Sequence, residues 1–191
     1  LQTKEHGHFY FDYGTRVRFF GINIQGPQTF PTHSEAEQFA EWLSKMGFNL
    51  VRLHHMDARF SRPNIFDPEH EDTQHFSEES LDRLDYFIYQ LKQRGIYIYL
   101  DMLVSRKYRA QDQVPAYKKF SGGVRKIVSQ FNPRLIELQK KYAHDLWTHF
   151  NPYTKTLFID EPAIDLTGII NESSRCKASV KKFLRLPEYY Q

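Results

Sequence analysis

Leu43-Ser44-Lys45-Met46-Gly47-Phe48-Asn49-Leu50-Val51-Arg52-Leu53-His54 reads as the last turn of a helix, a glycine and a strand, with almost nothing between them. The helix begins at about Ser34, an N-cap with Glu37 three residues on, which makes a capping box. Ala36, Phe39, Ala40, Leu43 and Met46 form its apolar stripe, and Gly47 ends it as a C-cap glycine. Asn49 to His54 is then a strand. The same junction recurs downstream. A helix from about Ser77, with Glu78 and Glu79 in its first turn, carries Leu81, Leu84, Phe87, Ile88 and Leu91 on one face. Gly95 closes it, and Ile96 to Met102 follows as a strand.

Further out, Arg16 to Ile22 is strand-like after the turn at Asp12-Tyr13-Gly14. Asn132-Pro133 opens a third helix as N-cap and first helical residue, with Leu135, Leu138, Tyr142 and Leu146 as its stripe. Ile164 to Ile170 is the last strand, and a fourth helix starts as the sequence ends. Strands separated by helices predict a parallel sheet with right-handed crossovers. The first two helix-to-strand junctions are nearly nothing, and the third, Asn151 to Ala163, is longer. The strand-to-helix connections Asn23 to His33, His55 to Phe76 and Leu103 to Phe131 are all long. The elaborate loops therefore gather at the carboxyl ends of the strands, where barrels and open α/β sheets place their sites. Gly21-Ile22-Asn23-Ile24-Gln25-Gly26 lacks the glycine spacing of a dinucleotide-binding turn, which favours a barrel. The expected fold is α/β, the amino-terminal half of a (β/α)8 TIM barrel, with residues 1–191 as one partial domain of about four βα units.

Composition excludes several classes. The net charge is +3 with acids and bases mixed, so no basic run suits nucleic acid. No stretch reaches the roughly 20 apolar residues of a membrane span. The single cysteine, Cys176, rules out an internal disulfide. The first residues do not read as a signal peptide; a mature start would look the same, and an extracellular or periplasmic location is slightly favoured. Aromatics make up 16%, which suits both a large core and surfaces that stack on sugar rings.

Two strand ends carry chemistry. The last strand ends in Ile169-Ile170-Asn171-Glu172-Ser173. A carboxylate there would sit at the barrel mouth, where desolvation raises its pKa toward that of a general acid. Taken alone, Asn-Glu is a weak signal and is more often a helix cap with an acidic first turn. The second strand ends in Arg52-Leu53-His54-His55-Met56-Asp57. Alternation turns Val51 and Leu53 to the helices and Arg52 and His54 inward. An inward Arg needs an anionic partner, either a catalytic carboxylate or Asp101 at the end of the third strand. Adjacent His54 and His55 point to opposite faces of a strand and so rarely share one ion; metal binding through His54 and Asp57 is a minor reading. No cofactor and no metal are expected.

The pieces, taken in order, resemble clan A glycoside hydrolases, in particular the cellulase/mannanase-like family 5 group. They are Gly14 to Asn23, Asn49 to Asp57, Leu81 to Asp85 leading to Arg94 to Asp101, Asn151 to Thr154, Asp160 to Ala163, Ile170-Asn171-Glu172 and Leu186 to Tyr190. The resemblance implies a retaining mechanism on a β-linked carbohydrate. Glu172 would be the acid/base, Asn171 would hold the sugar 2-hydroxyl, and Arg52 would orient the nucleophile. His54, His55 and Asp101 would support the substrate site. The nucleophilic Glu of that plan ends a seventh strand, and a full barrel takes about 250 residues. The chain alone is therefore expected to be inactive. Ser173 and Ser174 depart from the Asn-rich stretch expected after the Glu. The alternative is a non-catalytic half-barrel that binds carbohydrate or self-associates through its two open edge strands.

Overall fold

The structure, a computed structural model, describes residues 2–120 and 122–171. Its centre is a sheet of four parallel strands, β1 (Gly21–Gln25), β2 (Leu50–His54), β3 (Tyr97–Leu103) and β4 (Ile164–Ile170), adjacent in chain order. Helix α1 (His33–Lys45) joins β1 to β2 and α2 (Glu78–Gln93) joins β2 to β3. A short helix α3 (Gly122–Val128) and a longer α4 (Pro133–Trp147) precede β4. This is the expected α/β half-barrel. The anticipated helix after β4, with Glu172 and Cys176, lies outside the described residues.

The registers explain which side chains go where. Ile22 lies beside Val51 and Ile24 beside Leu53; Val51 lies beside Ile98 and Leu53 beside Leu100. These outward residues pack on Ala36, Ala40 and Leu43 of α1 and Leu84, Phe87 and Leu91 of α2, forming the main core. The alternate positions Asn23, Arg52 and Tyr99 share the inner face. A bulge between Ile98 and Tyr99 moves β4 by one residue, so that Ile98 faces Ile164 but Tyr99 faces Leu166. The shift puts Gly168, rather than Thr167, beside Asp101.

Three expectations need correction. The first strand is Gly21–Gln25, not residues 16–22. Its anticipated start is bonded elsewhere: Val17 N–H donates to Phe9 O (2.9 Å), and the Asn49 side chain accepts from Phe20 N (2.7 Å) and donates to Arg18 O (2.8 Å). Helix α1 is capped two residues earlier than Ser34. Thr32 Oγ1 accepts from Glu35 N, and Glu35 Oε2 accepts from Thr32 N (2.8 Å), which closes the box there. The long connection read from Leu103 to Phe131 contains a helix of its own, α3, which the sequence reading did not anticipate. By contrast, Ser77 and Asn132 cap α2 and α4 as the sequence suggests, and Gly47 and Gly95 take the left-handed backbone that ends a helix.

The amino-terminal segment closes the foot of the sheet. Gln2–Thr3 pairs with Phe9–Tyr10, and Phe9 meets Phe19, which in turn meets Tyr97 at the start of β3 (centroids 5.8 and 5.9 Å). Between α4 and β4, Phe150–Asn151 pairs with Thr156–Leu157. Among the described residues, β1 and β4 each pair on one side only, and Phe20 near the first and Ile169 on the second are exposed. No helix among the described residues is long and apolar enough to cross a membrane.

Candidate functional site

The carboxyl ends of β2, β3 and β4 converge on Asp101, which is 1% exposed. One of its oxygens, Oδ2, receives both Arg52 Nη2 (2.7 Å) and His54 Nδ1. The same Nη2 donates to Asn171 Oδ1 at 3.0 Å, so one guanidinium links β2 to β3 and to the end of β4. The Arg52 guanidinium also lies 5.0 Å from the Tyr99 ring centroid, where it meets the electron-rich face. Arg52, His54, Asp101 and Asn171, four of the residues singled out from sequence, thus form one network. Of the two partners open to Arg52, the structure shows the Asp101 pair. Its Nε is buried and has no hydrogen-bond acceptor among the described residues.

Gly168 makes this geometry possible. A Cβ at that position would sit 2.0 Å from Asp101 Oδ1 and 3.1 Å from Tyr99 Cε2. No side chain fits while Asp101 stays where Arg52 and His54 need it. The bulge in β4 and the glycine act together: one brings residue 168 opposite Asp101 and the other leaves the room.

Helix α3 holds the fourth strand's end. Lys126 Nζ donates to Asn171 O (2.6 Å), while Asn171 N donates to Leu103 O (3.0 Å). Asp57 stitches the neighbouring loops. It is buried and accepts from the backbone N–H groups of Val104, Ser105 and Arg106 at 2.9 to 3.2 Å. Burial pushes its carboxyl above the ordinary range, against the pull of those bonds. Among the described residues no group of three His, Cys, Asp or Glu is placed to hold a metal ion.

His55 departs from the expected alternation. It lies one residue past β2, its φ is +61°, and its ring centroid comes within 4.0 Å of that of His54. A two-residue period applies only inside the strand, and a left-handed residue turns the side chain back. Its Nδ1 faces Ser105 Oγ at 3.1 Å. Burial, with repulsion from His54 and Lys126, holds its pKa below the ordinary value.

Glu172 itself lies outside the described residues. Sequence reasoning missed Gly168, Lys126 and the bulge. A glycine inside an apolar strand is a signal for close backbone or side-chain approach and could have pointed to the first. Nothing local in the sequence marks the other two.

No family model matches the chain, and no curated protein matches it. Solved structures do. An endo-1,4-β-mannanase from Rhizomucor miehei superposes with a TM-score of 0.67 at 22% identity, over 90% of this chain and 48% of that one. A glycoside hydrolase family 5 mannosidase from the same organism gives 0.64 at 14% identity, over 85% and 46%. An endo-β-1,4-mannanase from Thermotoga petrophila gives 0.55 at 20% identity, over 78% and 34%. The chain therefore shares its fold with glycoside hydrolases of the group its sequence resembles, and it spans less than half the length of each.

Proposed function

We propose that this chain is the amino-terminal half of a retaining glycoside hydrolase acting on a β-linked, glucan- or mannan-like glycan. Glu172 is the acid/base. It protonates the leaving glycosidic oxygen while a carboxylate from the other half of the barrel attacks the anomeric carbon. It then takes a proton from the water that releases the sugar. The two carboxyl groups would stand about 5 Å apart. Asn171 offers its amide to the sugar 2-hydroxyl, a bond that strengthens as positive charge develops on the ring.

The observation that carries this reading is the state of Arg52. It fixes Asn171 at the end of β4 and shares Asp101 with His54, yet keeps a buried Nε without an acceptor among the described residues. A buried guanidinium N–H left unmet costs stability, and a carboxylate from the opposite strands would satisfy it.

The test is hydrolysis of β-1,4-linked mannan and glucan oligosaccharides by the intact gene product, with the anomer of the first product followed by NMR. Retention of configuration is expected, and Glu172→Gln should lower kcat about 10²- to 10⁴-fold. Inversion, or a Glu172→Gln variant as active as the parent, would contradict the assignment.

A further inference from the structure

The long segments after β2 and β3 enclose a cleft of about 1180 Å³ that opens from His55 and Ser105. Because the rings of His55 and His54 lie 4.0 Å apart, the inner end of the cleft adjoins the Asp101 network. The cleft is large enough for several sugar residues.

Its walls carry Arg59, Arg62, Lys107 and Lys118, all exposed. Among the described residues none of these four has a carboxylate within ion-pair distance, whereas the acids facing the cleft are largely engaged. Asp57 is sealed by three backbone N–H groups, and Glu79 pairs with Arg83. Glu71 remains as an exposed acid on the wall. Arg109 also lines the cleft, but its Nη1 is held by the carbonyls of Asp67, His70 and Asp72. Beside the cations stands Phe60, 61% exposed, with its ring 5.1 Å from that of His55. An exposed ring suits a pyranose face, and the surrounding cations suit negative charge on that sugar.

We infer that this cleft selects glycans bearing an anionic substituent, a carboxylate or a phosphate, next to the site of cleavage. The inference rests on the glycan-binding reading of the mouth. Phe60 stacks on a backbone sugar while Arg62 and Lys107 face the anionic group. The cations raise the local concentration of acidic chains and hold them by charge-assisted hydrogen bonds.

Calorimetric titration of the protein tests it with three probes of equal length: neutral β-1,4-mannohexaose, the same chain with one glucuronate branch, and the same chain with one phosphate monoester. At low salt an acidic chain should bind about ten-fold tighter than the neutral one, with the advantage shrinking as salt is raised. The stronger of the two acidic probes identifies which anion the cleft takes. The advantage should vanish in the double variant Arg62→Glu, Lys107→Glu and persist in Lys140→Glu, a charge reversal on exposed α4 surface. Circular dichroism checks that each variant folds. Equal affinity for neutral and acidic chains would overturn the anion selectivity and leave the glycan reading intact. Failure of all three probes to bind would bring down both.

Discussion

Two buried carboxylates stand at opposite ends of the sheet and are treated differently. At the foot, before β4, Glu161 is 2% exposed and saturated. Its oxygens accept from Lys92 Nζ (2.9 Å), Thr156 Oγ1 (2.8 Å) and Ala163 N (3.0 Å). At the mouth, Asp101 is equally buried, but its partner Arg52 still has a buried donor without an acceptor among the described residues. The first network is closed and does structural work, tying α2 and the Thr156–Leu157 strand to the start of β4. The second is assembled but incomplete, as a site must be if a further carboxylate or a sugar is to join it. Burial alone thus does not separate the two; the buried donor left unmet at the carboxyl ends of the parallel strands does.

Removing the shared acceptor of the mouth network outright should have the larger effect on stability. Asp101→Ala leaves Arg52 and His54 without their shared acceptor and should cost about 3–4 kcal/mol, read from urea unfolding. A loss below 1 kcal/mol would mean that the pair contributes little. Gly168→Ala attacks the same network through space. Its Cβ would force Asp101 to move and should cost about 1–3 kcal/mol. The double variant Gly168→Ala, Asp101→Ala should cost clearly less than the sum of the two, because both act on one contact. Strict additivity would contradict that coupling.

The foot should respond to pH instead. Burial pushes the Glu161 carboxyl up, but the bonds from Ala163, Lys92 and Thr156 outweigh it, so its pKa lies below its ordinary 4.5. A depressed carboxyl contributes stability that is present above the unfolded value and lost as pH falls through the folded one. Glu161→Gln should therefore cost about 1–2 kcal/mol at pH 7 and progressively less below about pH 4.5. A variant whose deficit stays constant from pH 7 to pH 3 would argue against this account of Glu161.

The half-barrel itself was largely legible because it rests on local signals. Gly47 and Gly95 end helices in left-handed backbone, Ser77 and Asn132 cap the next ones, and Val51 and Leu53 alternate with Arg52 and His54. The errors fall where distant groups or competing local patterns decide. The first strand starts late because Asn49, far along the chain, takes the hydrogen bonds of residues 18 and 20. The choice of Thr32 over Ser34 as cap was a contest between two overlapping Ser/Thr-x-x-Glu patterns, which spacing alone cannot decide. In the site, the inward direction of Arg52 followed from periodicity, while Asp101 was one of two partners left open until the structure showed the pair. The roles of Gly168 and Lys126 did not follow from it, because a bulge sets one and a helix within a long connection sets the other.

The most direct test of the division between mouth and foot compares two variants of the intact gene product, Arg52→Lys and Glu161→Gln, for both kcat/KM on a β-1,4-linked oligosaccharide and thermal midpoint. Arg52→Lys keeps the charge but loses the guanidinium whose Nη2 meets Asp101 and Asn171 and whose buried Nε has no acceptor among the described residues. The account predicts that it lowers kcat/KM about 100-fold or more, with a smaller change in midpoint than Glu161→Gln, which in turn leaves kcat/KM near that of the parent. Unchanged turnover in Arg52→Lys, or an equal loss of turnover in Glu161→Gln, would contradict it.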